Sequence, residues 1–389
     1  MQVVSPETLG FDPSRLRRLH EILEKDVAEG TYDGALVAVG RKGSLVALEE
    51  VGFSDRQNQK AISQTDLLLT MSVSKQFFNV IALSFVERGL LQLTQPVAEV
   101  LPEFGQRGKG RIALWHLMTH TGGVFPGVPP LPPEDLIQFE KWFDYVSATP
   151  PESVPGSQVI YSLLGAHAVL ASLLVAVDPD KRTLRQILQD ELFEPVGMHD
   201  TSIGPSGDGR PIAPVVQRYS RPSGIFHAAE VEAVGGLVTA KGSQLPGGGG
   251  ITSILDLWRF AEMLRAGGVS GGHRILSPAM IDLATCNRTG DKPNSLFNYA
   301  SDIRGWQPWP ASVGLGFFIR GDALTPGPLP NLGSARTFGG WGAGSTIFWI
   351  DPERDATFAM LTTGILEDTD HIVRCQKLSD VVLAAIVDI

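Results

Sequence analysis

What most constrains this chain is the placement of its β-forming runs. They lie at its two ends, with a long helix-rich block between them. Near the start, Ala35–Gly40 and Ser44–Val51 are rich in β-branched and apolar residues. Lys42-Gly43 between them suits a tight turn, so the pair reads as a hairpin. Near the end, Val313–Arg320, Thr346–Ile350 and Ala356–Thr363 read as three strands, with Asp351-Pro352 opening the turn between the last two. Runs this far apart in sequence share a sheet only if the chain ends come together. Pro13–Glu29 carries Leu16, Leu19, Ile22, Leu23 and Val27 on one helical face, and Asp370–Ile389 reads as a closing helix. The expected fold is therefore of mixed α/β class, in the α+β manner. An antiparallel sheet from both chain ends is covered by the terminal helices, and an all-helical lobe is inserted beside it. Residues 1–65 with 310–389 would form the sheet lobe, and 66–309 the mainly helical lobe, in a single unit.

The inserted block holds helical segments at Ser72–Arg88, Ile112–Thr119, Leu163–Val177, Leu184–Leu192, Ile254–Ala266 and Pro278–Cys286, separated by loops rich in Gly and Pro. The cleft between lobes is the default place for a site. Two loop regions could wall it or could simply pack. Val124–Pro133 has five prolines and precedes Phe139, Trp142, Phe143 and Tyr145; Phe125 within it is a candidate substrate contact. Asn287–Pro310 carries Phe297, Tyr299, Trp306 and Trp309.

Composition narrows the function classes. The 389 residues are 43 % hydrophobic and 19 % charged, ordinary for a globular protein, and the formal net charge is −10. Nucleic acid and anionic membrane demand basic surface, so neither is an expected partner. Met1–Gly10 lacks a basic segment followed by an apolar run, and the longest apolar stretch, Leu163–Val177, is too short to span a bilayer. The expectation is a cytoplasmic protein. Cys286 and Cys375 stand far apart with no Cys/His cluster around them, and read as two buried thiols in a reducing compartment. Oligomeric state is not legible in this pattern.

Three short stretches carry chemistry. In Met71-Ser72-Val73-Ser74-Lys75 at a helix start, Ser72 and Lys75 are spaced i, i+3 and share a face. Free N–H groups and the helix dipole there favour negative charge. A serine hydroxyl is a poor nucleophile until a neighbour takes its proton, and Lys75 could do so if burial lowered its pKa. Alone, S-x-x-K is a common pattern. Tyr161, at a loop-to-helix junction in Gly156–Leu163, adds a phenol able to relay a proton. Phe338–Ser345 adds four glycines beside Trp341, letting backbone N–H groups approach a substrate; one of them with that of Ser72 could form an oxyanion hole.

Across roughly residues 10–370, these stretches resemble the serine β-lactamase and penicillin-binding superfamily. The likeness is strongest to class C β-lactamases and family VIII carboxylesterases. Supporting stretches are Trp115–Gly123, Pro155-Gly156, Phe193–Met198 and Trp349–Pro352. The resemblance implies a β-lactamase-like fold, an acyl-enzyme on Ser72, Lys75 and Tyr161 sharing the base and acid roles, hydrolysis by water, and no cofactor or metal. Two departures matter. The β-lactamases have Asn where this chain has Leu163. Their third motif carries a lysine where this chain has Gly340, or Trp341 with a one-residue shift; Gly342 follows. The second oxyanion donor is correspondingly Ala343 or Gly344, with Ala343 preferred. Without that cation a β-lactam carboxylate loses a charge-assisted hydrogen bond worth about 1.5–3 kcal/mol. The expected activity is therefore hydrolysis of small esters of short to medium acyl chains, with Phe125, Leu163, Gly340, Trp341 and Gly342 as candidate substrate contacts. An acyltransferase, a D-amino-acid amidase or peptidase, a weak β-lactamase and a catalytically silent ligand-binding relative remain open.

Three other features have plainer readings. His116 and His120 are spaced i, i+4 but lack a third metal ligand. Gly247–Gly250 lacks the Lys-Ser/Thr of a phosphate loop and reads as a flexible turn near the cleft. Asp256 reads as serving a helix dipole.

Overall fold

The computed structural model describes residues 2–217 and 228–388, apart from the side chains of Ala228, Ala229, Val231 and Tyr299. Its main sheet has seven strands: β1 (Gly34–Arg41), β2 (Ser44–Asp55), β3 (Lys60–Ala61), β4 (Phe318–Ile319), β5 (Phe338–Gly342), β6 (Thr346–Asp351) and β7 (Ala356–Thr363). The order across it is β3-β2-β1-β7-β6-β5-β4. The two chain ends meet where β1 runs antiparallel to β7, from Gly34 opposite Thr363 to Arg41 opposite Ala356. The β1–β2 hairpin turns through Lys42 and Gly43, both at positive φ (51° and 82°), as a two-residue turn matched to strand twist requires.

The sheet is buried on both faces. On one face lie helix α1 (Pro13–Ala28) and the closing helix, with Leu16, Leu19 and Leu23 against Ile372, Leu378 and Val382. Asp12 caps α1 by accepting from Ser14 N and Arg15 N, and Pro13 follows at its first position. On the other face lie helix α2 (Ser74–Glu87), buried on nearly all sides, and the helix Ile254–Arg265. Asp256 does more there than serve a dipole. Its buried carboxylate accepts from Asp200 N (2.7 Å), Thr201 Oγ1 (3.0 Å) and Arg259 (2.5 Å), tying a distant loop to this helix.

Several expectations need correction. Of Val313–Arg320 only Phe318–Ile319 is strand, because Gly316 (φ 90°) turns the backbone and its carbonyl is taken by Gln76 Nε2 at 2.8 Å. Phe338–Gly342, read from sequence only as a glycine-rich stretch leading into a strand, is itself an inner strand. Its glycines are dictated by neighbours: a Cβ at Gly339 would collide with the Phe348 carbonyl. The inserted block is not purely helical. It contains an antiparallel sheet of Leu68–Met71, Gly250–Thr252 and Ser202–Ile203. Helices at Phe139–Ala148 and Ala228–Thr239 occupy ground where none was expected. Cys375 is buried, but Cys286 is exposed, since it sits just past the C-terminus of the helix Pro278–Ala284 on its outer side. Among the described residues no helix is long and apolar enough to cross a membrane.

Candidate active site

Ser72 sits where the strand Leu68–Met71 passes into α2. Met71 makes the corner at φ 48°, a left-handed conformation uncommon outside glycine. Ser72 therefore precedes the helix rather than lying in its first turn, and its carbonyl accepts from Lys75 N at 3.0 Å. Lys75 Nζ lies 3.1 Å from Ser72 Oγ, 2.7 Å from the Leu163 carbonyl and 2.6 Å from the Gly247 carbonyl. No carboxylate is among these partners, and burial lowers the lysine pKa to about 7. Gly247 has a reason to be glycine: at φ 82°, a Cβ there would press on Lys75 Cγ and His167 Cβ at 2.9 and 3.0 Å. The Gly247–Gly250 turn thus does more than flank the cleft.

Tyr161 lies in the loop ahead of helix α3 (Gly165–Val177). That loop is pinned from both sides: Ile160 N donates to His120 O (2.9 Å), Ser162 N to His120 Nδ1 (3.2 Å) and Ser162 Oγ to Phe125 O (2.8 Å). The Tyr161 ring packs on the His120 imidazole at 4.3 Å between centroids, and Lys75 Nζ lies 5.0 Å from its centre. Burial holds the phenol pKa above its ordinary value; the neighbouring Ser72 hydroxyl lowers it and the Asp368 charge raises it further. His120 is pushed down to about 3 by burial and then by the Lys75 charge. The two histidines do not converge, because His116 Nδ1 accepts from Ala113 N while His120 holds the Tyr161 loop. Among the described residues no three His, Cys, Asp or Glu side chains are placed to hold a metal.

The third element is the hairpin β5–β6. Its strand alternation separates the candidate positions. A Cβ at Gly340 would point at Gln76 and Phe348, on the α2 side. The Trp341 ring goes to the opposite layer, stacked on His371 (5.3 Å) and edge-on to Phe297 (5.5 Å). Gly342 abuts Thr70 and Met71, and Thr346 Oγ1 donates to Thr70 O at 2.8 Å, so the hairpin tip is fastened beside Ser72. Among the described residues neither the Ser72 nor the Ala343 amide N–H has a backbone acceptor.

A cavity of about 90 Å³ opens on Ser72. Its wall includes Tyr161, Leu163, Leu164, Val234, Val238, Leu245, Leu296, Trp341 and Ala343, and Asp368 is its one acidic residue among the described residues. Of the expected contacts, Leu163 and Trp341 reach it. Phe125, Gly340 and Gly342 do not: the Phe125 ring packs against Tyr145, and the two glycines face protein. The aromatic loop 287–310 contributes only Leu296. Phe297 and Trp309 stack on one another in the core beneath the terminal helices, and the Tyr299 side chain lies outside the described residues. Val128 is the one cavity residue from the proline-rich loop. Sequence reasoning missed Val234, Val238 and Asp368, which nothing local marks. A larger groove of about 580 Å³ between Arg185 and Arg210 touches none of these residues.

Comparison with known proteins agrees with this fold. A penicillin-binding protein homolog from Caulobacter crescentus superposes with a TM-score of 0.78 at 24 % identity, covering 97 % of this chain and 99 % of its own. A family VIII carboxylesterase superposes with a TM-score of 0.78 at 19 % identity over 99 % of both chains. The esterase/beta-lactamase LipL of Mycobacterium tuberculosis is 23 % identical over 365 residues, 87 % of this chain and 80 % of LipL. Residues 19–374 match the family described as Beta-lactamase, and with Ser72 and the buried Lys75 in contact inside that span the chain belongs to this family of serine hydrolases.

Proposed function

We propose that the protein is a serine carboxylesterase for small, uncharged acyl groups. The observation that carries the reading is the cavity beside Ser72, whose wall among the described residues is apolar apart from Ser72, Tyr161 and Asp368 and holds no arginine or lysine. Along the described wall a substrate carboxylate would meet the Asp368 carboxyl group and no arginine or lysine, whereas a neutral ester would bury its acyl chain among leucines and valines.

The roles follow from donor counting. A neutral lysine amine has two N–H donors and one lone pair, whereas its ammonium has three donors and none. Two carbonyls, of Leu163 and Gly247, take two donors, so the lone pair of the neutral amine faces Ser72 Oγ. With a pKa of about 7 that amine is available near neutrality. In acylation the Ser72 proton passes to Lys75 Nζ as Oγ bonds to the ester carbonyl carbon. The resulting oxyanion sits between the Ser72 and Ala343 N–H groups. Collapse breaks the bond to the leaving oxygen. That oxygen takes a proton from the Tyr161 hydroxyl, which burial keeps protonated, and the phenolate is refilled from the Lys75 ammonium. Water repeats the sequence on the acyl-enzyme and releases the acid.

The test is a side-by-side assay of nitrophenyl butyrate and a chromogenic cephalosporin with wild type and Ser72→Ala, recording intact mass during turnover. Ester cleavage with a butyryl adduct on the wild type alone is the expected result. Cephalosporin turnover equal to or faster than ester turnover would sink the esterase reading.

A further inference from the structure

Behind the hairpin tip lies a buried polar cluster that the reaction above does not use. Arg374 is on helix Asp368–Ala384, with only 5 % of its surface exposed. Among the described residues its bonds go to no carboxylate. One nitrogen, Nη2, donates to the Gly344 carbonyl (3.2 Å), to Thr362 Oγ1 (3.4 Å) and to His371 Nδ1 (2.7 Å). Among the described residues its Nε and Nη1 are buried without a hydrogen-bond partner, and its guanidinium carbon lies 4.7 Å from the centre of the Tyr32 ring. A buried charge held this way is costly, and a packing role alone would be met by methionine or leucine.

The cluster has a direction. Arginine only donates, so His371 Nδ1 accepts and the ring proton is on Nε2. That Nε2 faces the Thr346 carbonyl at 3.4 Å. The chain of donors thus ends on the carbonyls of Gly344 and Thr346, in the turn that carries Ala343. The Gly342 carbonyl and the Ala343 N–H belong to one peptide unit. That carbonyl accepts from Ser345 N at 3.4 Å across the turn, so holding the turn at Gly344 and Thr346 fixes the plane of the unit and the direction of its N–H. Trp341, stacked on His371, closes the cluster from the strand side.

We propose that Arg374 and His371 are positioning residues of the oxyanion hole: together they hold the Gly342–Thr346 turn so that the Ala343 N–H points at the acyl oxygen bonded to Ser72. The proposal rests on the reading of Ser72 as nucleophile.

The experiment compares His371→Phe, Arg374→Met and the conservative His371→Gln with wild type. Phenylalanine keeps the stack on Trp341 and removes the donor; glutamine keeps a donor and an acceptor. The readouts are kcat and KM for nitrophenyl butyrate and the affinity for an alkyl boronic acid, which forms a tetrahedral adduct on a reactive serine. Loss of one oxyanion donor costs about 10²–10³ in kcat, and loosening one costs less. His371→Phe and Arg374→Met are therefore expected to lower kcat about 10- to 100-fold with KM within about threefold. Boronate affinity falls in step, and His371→Gln recovers most of the loss. A folded His371→Phe with kcat and boronate affinity both within about threefold of wild type overturns the proposal, and this variant decides if Arg374→Met does not fold. A wild type that binds no boronate and shows no Ser72-dependent turnover defeats the nucleophile reading and the proposal with it. Normal boronate affinity in His371→Phe defeats the positioning role alone.

Discussion

Gln76 Oε1 stands 2.5 Å from where a Cβ on Gly340 would lie, and Phe348 Cε1 is as close. A side chain at Gly340 thus has nowhere to go, because the turn of α2 after Lys75 already fills the space that a third-motif lysine would use. Gln76 is held there by its bond to the Gly316 carbonyl. Gly340→Lys is accordingly expected to destabilise the fold, by about 1–3 kcal/mol or more for overpacking, and to bring no gain in β-lactam turnover. Thermal melting and a cephalosporin assay on the same preparation check both halves. A soluble variant with native melting and raised cephalosporin turnover would show that Gln76 yields.

The Lys75 pair predicts opposite effects on stability and activity. In the unfolded chain Lys75 has its usual value of 10.5, and in the folded protein about 7. Between these values the unfolded state binds more protons, so the lysine penalty on the fold is full below about pH 7. It is relieved as pH rises toward about 10.5. Lys75→Met should therefore raise the melting temperature at pH 6 and flatten its rise with pH, while abolishing turnover. Melting curves at pH 6 and pH 9 for both proteins are the check.

For the same reason kcat/KM should climb with pH through about 7 as the amine loses its proton. His120 contributes no step nearby, because burial and the Lys75 charge hold it down to about 3. A pH profile flat from 5.5 to 8.5 would remove Lys75 as the base.

Tyr161→Phe removes a proton donor from a ring that stays packed on His120. The expected cost is about 10²–10⁴ in kcat with an unchanged melting temperature. A change below threefold in steady-state kinetics would leave the phenol a packing role.

Acyl-chain preference should respond to the apolar wall. Val238 is fully buried there, so Val238→Ala lengthens the slot by two methyl groups. The expected result is a roughly tenfold rise in kcat/KM for octanoate relative to butyrate esters, a modest value for such a difference in an apolar pocket. An unchanged ratio would place the acyl chain elsewhere.

Much of this was legible along the chain. The terminal strands announced a sheet joining both ends because alternation, turn residues and strand length are local signals. The Ser72-x-x-Lys75 spacing announced its pair because residues three apart share a face of a helical turn, and the turn leading into α2, closed by Lys75 N on the Ser72 carbonyl, keeps that relation although Ser72 precedes the helix. Tyr161 and the Phe338–Ser345 stretch were legible only as companions of that pair. Trp341 and Gly340 could not be told apart by counting, since a one-residue slip in a strand exchanges its two faces.

What the tertiary structure alone decided is whatever depends on neighbours remote in sequence. The β5 glycines read as room for a substrate's approach until Gln76, Phe348 and Thr70 are seen pressing on them. Lys75 has no local reason to lose its charge; burial beneath the Leu163 and Gly247 carbonyls supplies one. The helix Ala228–Thr239 brings Val234 and Val238 to Ser72 from some 160 residues away along the chain. Sequence determines which groups are available and how each short segment coils. Solvent exclusion and close approach, which turn an ordinary lysine into a base and an ordinary glycine into a requirement, exist only once distant segments have packed.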